Sequence, residues 1–116
     1  PVSGLRGVTH GEGLAALLPE ILDRTWPYAV QSLSRVLAAM GERKASTGQV
    51  VGNIAPIVRA MQWNLKLNRT LGELGVEVSD ITWLADNALK TMAASIENNP
   101  LVFDRKTIID IYEACL

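Results

Sequence analysis

Histidine, cysteine and aromatic side chains are scarce in this chain, and neither sign of charge dominates it. The 116 residues include one histidine, one cysteine and 5% aromatic residues, with 11 basic against 12 acidic side chains. Because the charges are so evenly balanced, the protein has no large basic surface that would attract a polyanion. Nucleic acid is therefore excluded as the expected partner. A single cysteine excludes an internal disulfide and a thiolate metal cage, and is typical of a reducing compartment.

Long apolar runs and a targeting segment are missing as well. No stretch approaches the roughly 20 apolar residues that cross a bilayer, and the first residues lack the basic-then-apolar order of a signal peptide. We therefore expect no membrane partner and a cytoplasmic protein. The length is that of one ordinary domain, so a single hydrophobic core is expected over residues 1–116.

Apolar residues recur at intervals of three and four positions, which is the spacing of one face of an α-helix. Five such stripes occur, at residues 14–22, 26–40, 51–65, 81–92 and 108–115. No segment alternates apolar and polar residues long enough to predict a strand. The sequence thus predicts an all-α fold in which five main helices form a bundle-like array.

Capping residues indicate where some of these helices begin, and one proline indicates where a helix bends. Thr9 with Glu12, and Ser46 with Gln49, have the spacing of a capping box, in which a hydroxyl and a longer polar side chain satisfy the first backbone N–H groups of a helix. Pro56 lies inside the third stripe, where it removes a backbone hydrogen bond. Because the apolar spacing resumes beyond it, we expect the third helix to be kinked near Pro56.

His10 stands at the start of the first long helix, with no second metal-ligating residue beside it except Glu12. It is therefore either a structural histidine or one ligand of a site whose other ligands lie elsewhere. The positive end of the helix dipole favours the neutral imidazole that binds metal, but it also repels a metal dication. Glu12 has the spacing of a cap rather than of a ligand, and Cys115 is predicted to be a packing residue.

Several segments, taken in order, resemble one enzyme family. His10-Gly11, Ala15 and Pro19 resemble the His-Gly-x-x-x-Ala-x-x-x-Pro segment of the iron-containing alcohol dehydrogenases. The second half is similar to the C-terminal end of that family in the same order, over residues 71–76, 80–90, 99–100 and 108–114. Residues 1–4 resemble the branch that includes hydroxyacid-oxoacid transhydrogenases. The resemblance covers essentially the whole chain.

The resemblance implies an enzyme of two parts. An N-terminal domain binds NAD(P), and a helical C-terminal domain holds one iron, or zinc, on an aspartate and three histidines; the metal polarises an alcohol or carbonyl oxygen during hydride transfer. Only His10 matches a ligand position, so it is the expected metal residue, and no catalytic or cofactor-binding residue is expected elsewhere. The other ligands and the nucleotide-binding domain would lie before Pro1, and no phosphate-binding glycine motif occurs here.

Two hypotheses about function follow. In the first, the chain is the C-terminal helical domain of an iron-dependent alcohol dehydrogenase-like oxidoreductase, inactive and without iron or NAD(P) when alone. In the second, it is a free-standing helical oligomerisation or interaction module without catalysis. Faces that would otherwise pack against a second domain leave apolar surface uncovered, which favours a homo-oligomer.

Overall fold

The computed structural model describes residues 1–42 and 48–116, and the regular structure in these two ranges is helical throughout. Two 3₁₀ turns, Trp26–Tyr28 and Val78–Asp80, connect longer elements. The α-helices of the described residues are α1 (Val2–Arg6), α2 (His10–Thr25), α3 (Val30–Ala39), α4 (Gly48–Val51), α5 (Ile54–Asn64), α6 (Ile81–Thr91), α7 (Ala93–Glu97) and α8 (Arg105–Ala114). The predicted all-α fold is confirmed, with several of its helices shorter than the sequence pattern indicates.

Helix α2 lies at the centre of the molecule, where it packs against α1, α5 and α8. Its start is the predicted capping box: the Thr9 hydroxyl accepts from the Glu12 N–H, and the Thr9 N–H donates to the Glu12 carboxylate at 3.2 Å. At the other end of the chain the Asp104 carboxylate caps α8 by accepting from the Thr107 N–H at 2.7 Å. The cap expected at Ser46 lies outside the residues that the structure describes.

The segment expected to be one kinked helix consists of two helices, α4 and α5, separated by a turn at Gly52 and Asn53. Pro56 is the third residue of α5, a position whose N–H has no intrahelical partner in any helix. A continuous helix would bring the Pro56 ring against the carbonyl of Gly52, four residues earlier. The interruption therefore falls just before the proline rather than at it, and the Asn53 amide closes the turn by donating to the Gln49 carbonyl at 2.9 Å.

Two groups of buried apolar residues hold the helices together. The larger joins α1, α6 and α8 through the link between α5 and α6, and includes Val2, Leu71, Leu74, Val76, Ile81, Leu84, Ala85, Ala88, Phe103, Ile108, Ile111, Tyr112 and Cys115. The smaller, Leu37, Val51, Ile54 and Val58, joins α3, α4 and α5. In the part of the chain that the structure describes, no helix is long and apolar enough to cross a membrane.

Candidate functional site

An apolar cleft of about 280 Å³ opens between the first helices and the last ones. Helices α1 and α2 form one wall, in which Val2, Leu14 and Leu17 take part, and Phe103 and Tyr112 belong to the opposite wall. Such a cleft removes a ligand from water by apolar contact and leaves its orientation to a few polar groups. Those polar groups are Ser3, His10, Ser95, Asn99 and the Tyr112 hydroxyl.

His10, the residue predicted to bind metal, lines this cleft from the first turn of α2 and is exposed to solvent. Its imidazole makes no hydrogen bond or ion pair with any residue in ranges 1–42 and 48–116. The capping box formed by Thr9 and Glu12 fixes the backbone on either side of it. An imidazole at the edge of a cleft that has no partner among the described residues can contact a ligand.

Glu12 is already engaged, as its spacing in the sequence indicates. Its carboxylate accepts from the Thr9 hydroxyl at 2.7 Å and from the Arg69 guanidinium at 3.0 Å. The hydrogen bonds from Thr9, joined by the charge of Arg69, lower the pKa of the Glu12 carboxyl. Glu12 therefore belongs to the cap that positions His10, and not to a ligand set.

The cleft does not contain a complete metal site. In the described ranges no three histidine, cysteine, aspartate or glutamate side chains come together in a way that could hold a metal ion. Iron and zinc in proteins need three or four such ligands, and one imidazole does not retain either. The residues at hand therefore do not fit an iron or zinc ion by themselves, and His10 is at most one member of a larger ligand set.

The turn after α7 also reaches the cleft. Ser95 and Asn99 line it, and the Asn99 amide donates to the Leu101 carbonyl at 2.6 Å and to the Thr25 hydroxyl at 3.2 Å. The bond to Thr25 ties the turn to the C-terminal end of α2, and the bond to Leu101 lies within the turn itself. The position of this turn against α2 therefore depends on the side chain of Asn99, which belongs to the segment 99–100 that resembles the family.

Tyr112 is a cleft residue that the sequence pattern assigned only to the apolar stripe of the last helix. Its side chain is buried, and burial raises the pKa of its hydroxyl. That hydroxyl has no hydrogen-bond partner within the described part of the chain. No signal in a single sequence distinguishes such a tyrosine from an ordinary core residue, because the distinction depends on the cleft formed by other helices.

Cys115 is buried in the larger core, as predicted for a packing residue. Burial raises the pKa of its thiol to about 11. Since the thiolate is the nucleophilic form, a thiol that stays protonated at neutral pH is a poor nucleophile and a poor metal ligand.

Comparisons with known proteins identify the family to which this chain belongs. The family model described as "Fe-containing alcohol dehydrogenase family, C-terminal" matches residues 1–116. A similar curated protein is Dehydrogenase ALT3 of Alternaria alternata, 27% identical over 120 residues that cover 93% of this chain and 31% of that protein. The chain thus spans about a third of the length of this relative, and no solved structure matches it. Since the family match covers the whole chain, the chain belongs to the Fe-containing alcohol dehydrogenase family and corresponds to its C-terminal domain.

Proposed function

We propose that this chain supplies one metal ligand and one wall of the substrate cleft to an iron-dependent dehydrogenase, and that alone it has no dehydrogenase activity. The observation that carries the proposal is the position of His10, which lines an apolar cleft and has no intramolecular partner in the described ranges. The family match over residues 1–116 supports the same assignment. Iron or zinc, and NAD(P), belong in this proposal to the complete enzyme.

The residues around His10 have supporting tasks in this proposal. Thr9 and Glu12 hold the first turn of α2, and Arg69 connects that turn to the link that follows α5. The apolar walls of the cleft keep water away from a bound alcohol or aldehyde, whereas Asn99 fixes the turn that closes one side. The chain itself thus orients a ligand and excludes water, and the remaining metal ligands come from outside this set of residues.

The proposal is tested on the purified 116-residue chain. We expect no oxidation of NADH or NADPH with short-chain aldehydes after incubation with Fe²⁺ or Zn²⁺, because one imidazole does not retain the metal. A titration with Zn²⁺ followed by NMR should shift the His10 imidazole signals only at roughly millimolar metal, and His10→Ala should abolish that response.

The outcomes separate the two parts of the proposal. If the parent chain oxidises NADH or NADPH and His10→Ala does not, the chain is active alone. That result would contradict the proposed lack of activity. Zinc-induced shifts that leave the His10 signals unchanged and survive in His10→Ala would contradict its role as a ligand. Retained folding of the variant is checked by circular dichroism, and is expected because the His10 side chain is exposed and has no hydrogen-bond or ion-pair partner in the described ranges.

A second candidate function, self-association, is favoured by the apolar surface at the edge of the cleft. Leu14 and Met92 line the cleft and are 54% and 41% exposed, and Leu18, one helical turn after Leu14 on α2, is 40% exposed. Contiguous apolar surface of this kind is typical of an interface, and a second copy of the chain would cover it. We infer that the chain forms a homo-oligomer through this face.

A further inference from the structure

A second cavity, of about 300 Å³, lies on the other face of α2, away from His10. Arg59, Gln62 and Trp63 line it from α5, and Asn68, Arg69 and Thr70 line it from the segment that follows. Positions 59, 62 and 63 are three and four residues apart, so their side chains lie on one side of the helix. In contrast to the apolar cleft, this cavity gathers polar groups around one aromatic ring.

Gln62 is the most informative of these residues, because it is a polar side chain only 6% exposed. Its amide nitrogen donates to the Ala15 carbonyl at 2.7 Å, but its amide oxygen accepts no hydrogen bond from the described residues. No side-chain oxygen or nitrogen in ranges 1–42 and 48–116 is both fully enclosed and unpartnered. Gln62 lines the cavity, and an N–H donor from a ligand bound there would give its amide oxygen a partner.

Within residues 1–42 and 48–116, the charges around the cavity leave one cation uncompensated. Arg69 is paired with Glu12 at 3.0 Å, and Arg24, on the neighbouring part of α2, is paired with Glu20 at 2.8 Å. Arg59 is exposed and makes no ion pair with the residues that the structure describes. Its planar guanidinium is suited to bind a carboxylate or a phosphate with two parallel hydrogen bonds.

Trp63 adds a flat apolar surface beside this cation. It lies four residues after Arg59 and is 70% exposed, although tryptophan is normally among the more buried residue types. An indole face next to an arginine is a good stacking surface for a planar ring. The volume of the cavity is at the lower limit for ligand sites, which restricts the occupant to a small molecule.

We propose that this cavity binds a small anion with a planar ring that bears an amino group. The acidic group pairs with Arg59, the ring stacks on Trp63, and the amino group donates to the Gln62 oxygen. Nucleoside monophosphates and amino-substituted aromatic carboxylates share this chemistry. The inference is independent of the metal role of His10, because it uses another face of α2 and none of the cleft residues.

The experiment measures binding of two probes, adenosine 5′-monophosphate and 4-aminobenzoate, to the full chain by isothermal titration calorimetry, together with quenching of tryptophan fluorescence. We expect at least one probe to bind with a stoichiometry of one. Adenosine and aniline lack the acidic group and are expected to bind at least about tenfold more weakly, and Arg59→Gln should weaken binding by a similar factor. Binding of adenosine 5′-monophosphate alone would indicate a nucleoside monophosphate as the ligand, and binding of 4-aminobenzoate alone an amino-substituted aromatic carboxylate.

Matched variants give the control. Trp63→Ala should weaken binding about tenfold and abolish the quenching, whereas Trp83→Ala on α6 and Arg35→Gln on α3 should leave both unchanged. Because Arg59 and Trp63 are exposed, their variants are expected to unfold at the same temperature as the parent chain. Failure of both probes to bind at millimolar concentration, or binding that survives Arg59→Gln and Trp63→Ala, would overturn the proposal.

Discussion

Glu12 shows how one side chain can connect a sequence motif to the candidate site. In the sequence it is the last residue of a capping box, at helix position N3, and in the structure the same carboxylate also binds Arg69, 57 positions later. The Arg69 guanidinium in turn donates to the Glu73 carbonyl at 2.7 Å. The first turn of α2, which carries His10, is thereby held to the link between α5 and α6.

This arrangement predicts a dependence of stability on pH. The pKa of Glu12 lies below its ordinary value of 4.5, first because of the Thr9 hydroxyl, and hydrogen bonds also lower the pKa values of Asp80 and Asp104. A carboxyl whose pKa is lowered by folding stabilises the native state above its unfolded pKa, and that contribution is lost as the pH falls through the folded value. The melting temperature should therefore decrease as the pH is lowered below about 4.5.

The variant Glu12→Gln isolates the charge in this prediction. Glutamine retains an oxygen for the cap but does not titrate, so the variant should be less stable than the parent at pH 7 and the difference should shrink toward pH 3. Thermal unfolding followed by circular dichroism measures the stability of the variant and of the parent chain at each pH. Glu97→Gln is the control, since no hydrogen bond or ion pair within the described part of the chain involves the Glu97 carboxylate. A constant difference at all pH values would contradict the role assigned to the Glu12 charge.

The link at residues 71–76 packs closely against the C-terminal residues of the chain. The Leu71 N–H donates to the Cys115 carbonyl at 2.8 Å, and Leu71 itself is fully buried. A Cβ atom added at Gly72 would lie 2.8 Å from the Leu116 carbonyl oxygen. The glycine is therefore needed for this close approach of two backbones.

Gly72→Ala is accordingly expected to lower the free energy of unfolding by about 1–3 kcal/mol, because the C-terminal residues must move away from the link. Urea denaturation of the two proteins measures the difference. Gly4→Ala is the matched control: a Cβ at that position of α1 meets nothing within 4 Å, so the change should be neutral or stabilising by up to about 1 kcal/mol. Equal stability of Gly72→Ala and the parent chain would show that the contact is not maintained in solution.

The sequence predicts the helices better than it predicts the connections between them. Thr9 and Asp104 mark helix starts because capping is a local property, and the apolar stripes predict helices because a period of 3.6 residues survives in any tertiary context. The break before Pro56 was expected as a kink, since the clash with the Gly52 carbonyl depends on backbone geometry that periodicity does not encode. Asn99 stood out only through the resemblance of residues 99–100 to the family, and Tyr112 gains its place in the cleft only when α2, α7 and α8 meet, so no local pattern reveals the tyrosine.

At the scale of the whole molecule, α2 separates two cavities of different character. The apolar cleft on one face contains His10, and the polar cavity on the other contains Gln62 and Arg59. Glu12 and Arg69 lie near the boundary between them, because Arg69 lines the polar cavity while Glu12 belongs to the cap beside His10. A ligand that displaced Arg69 from Glu12 would therefore loosen the first turn of α2.

The proposed self-association through the edge of the cleft is a prediction about the whole molecule. Leu14 and Leu18 present adjoining exposed apolar side chains on α2, whose transfer out of water favours association. We expect sedimentation velocity to show a species heavier than the monomer at high micromolar concentration. The double variant Leu14→Glu and Leu18→Glu should shift the chain to the monomer, because two carboxylates buried in an interface between copies are strongly unfavourable. Val78→Glu, at a residue 73% exposed and outside the cleft, should leave the distribution unchanged. A parent chain that stays monomeric at these concentrations, or an oligomer that survives the double variant, would contradict this interface.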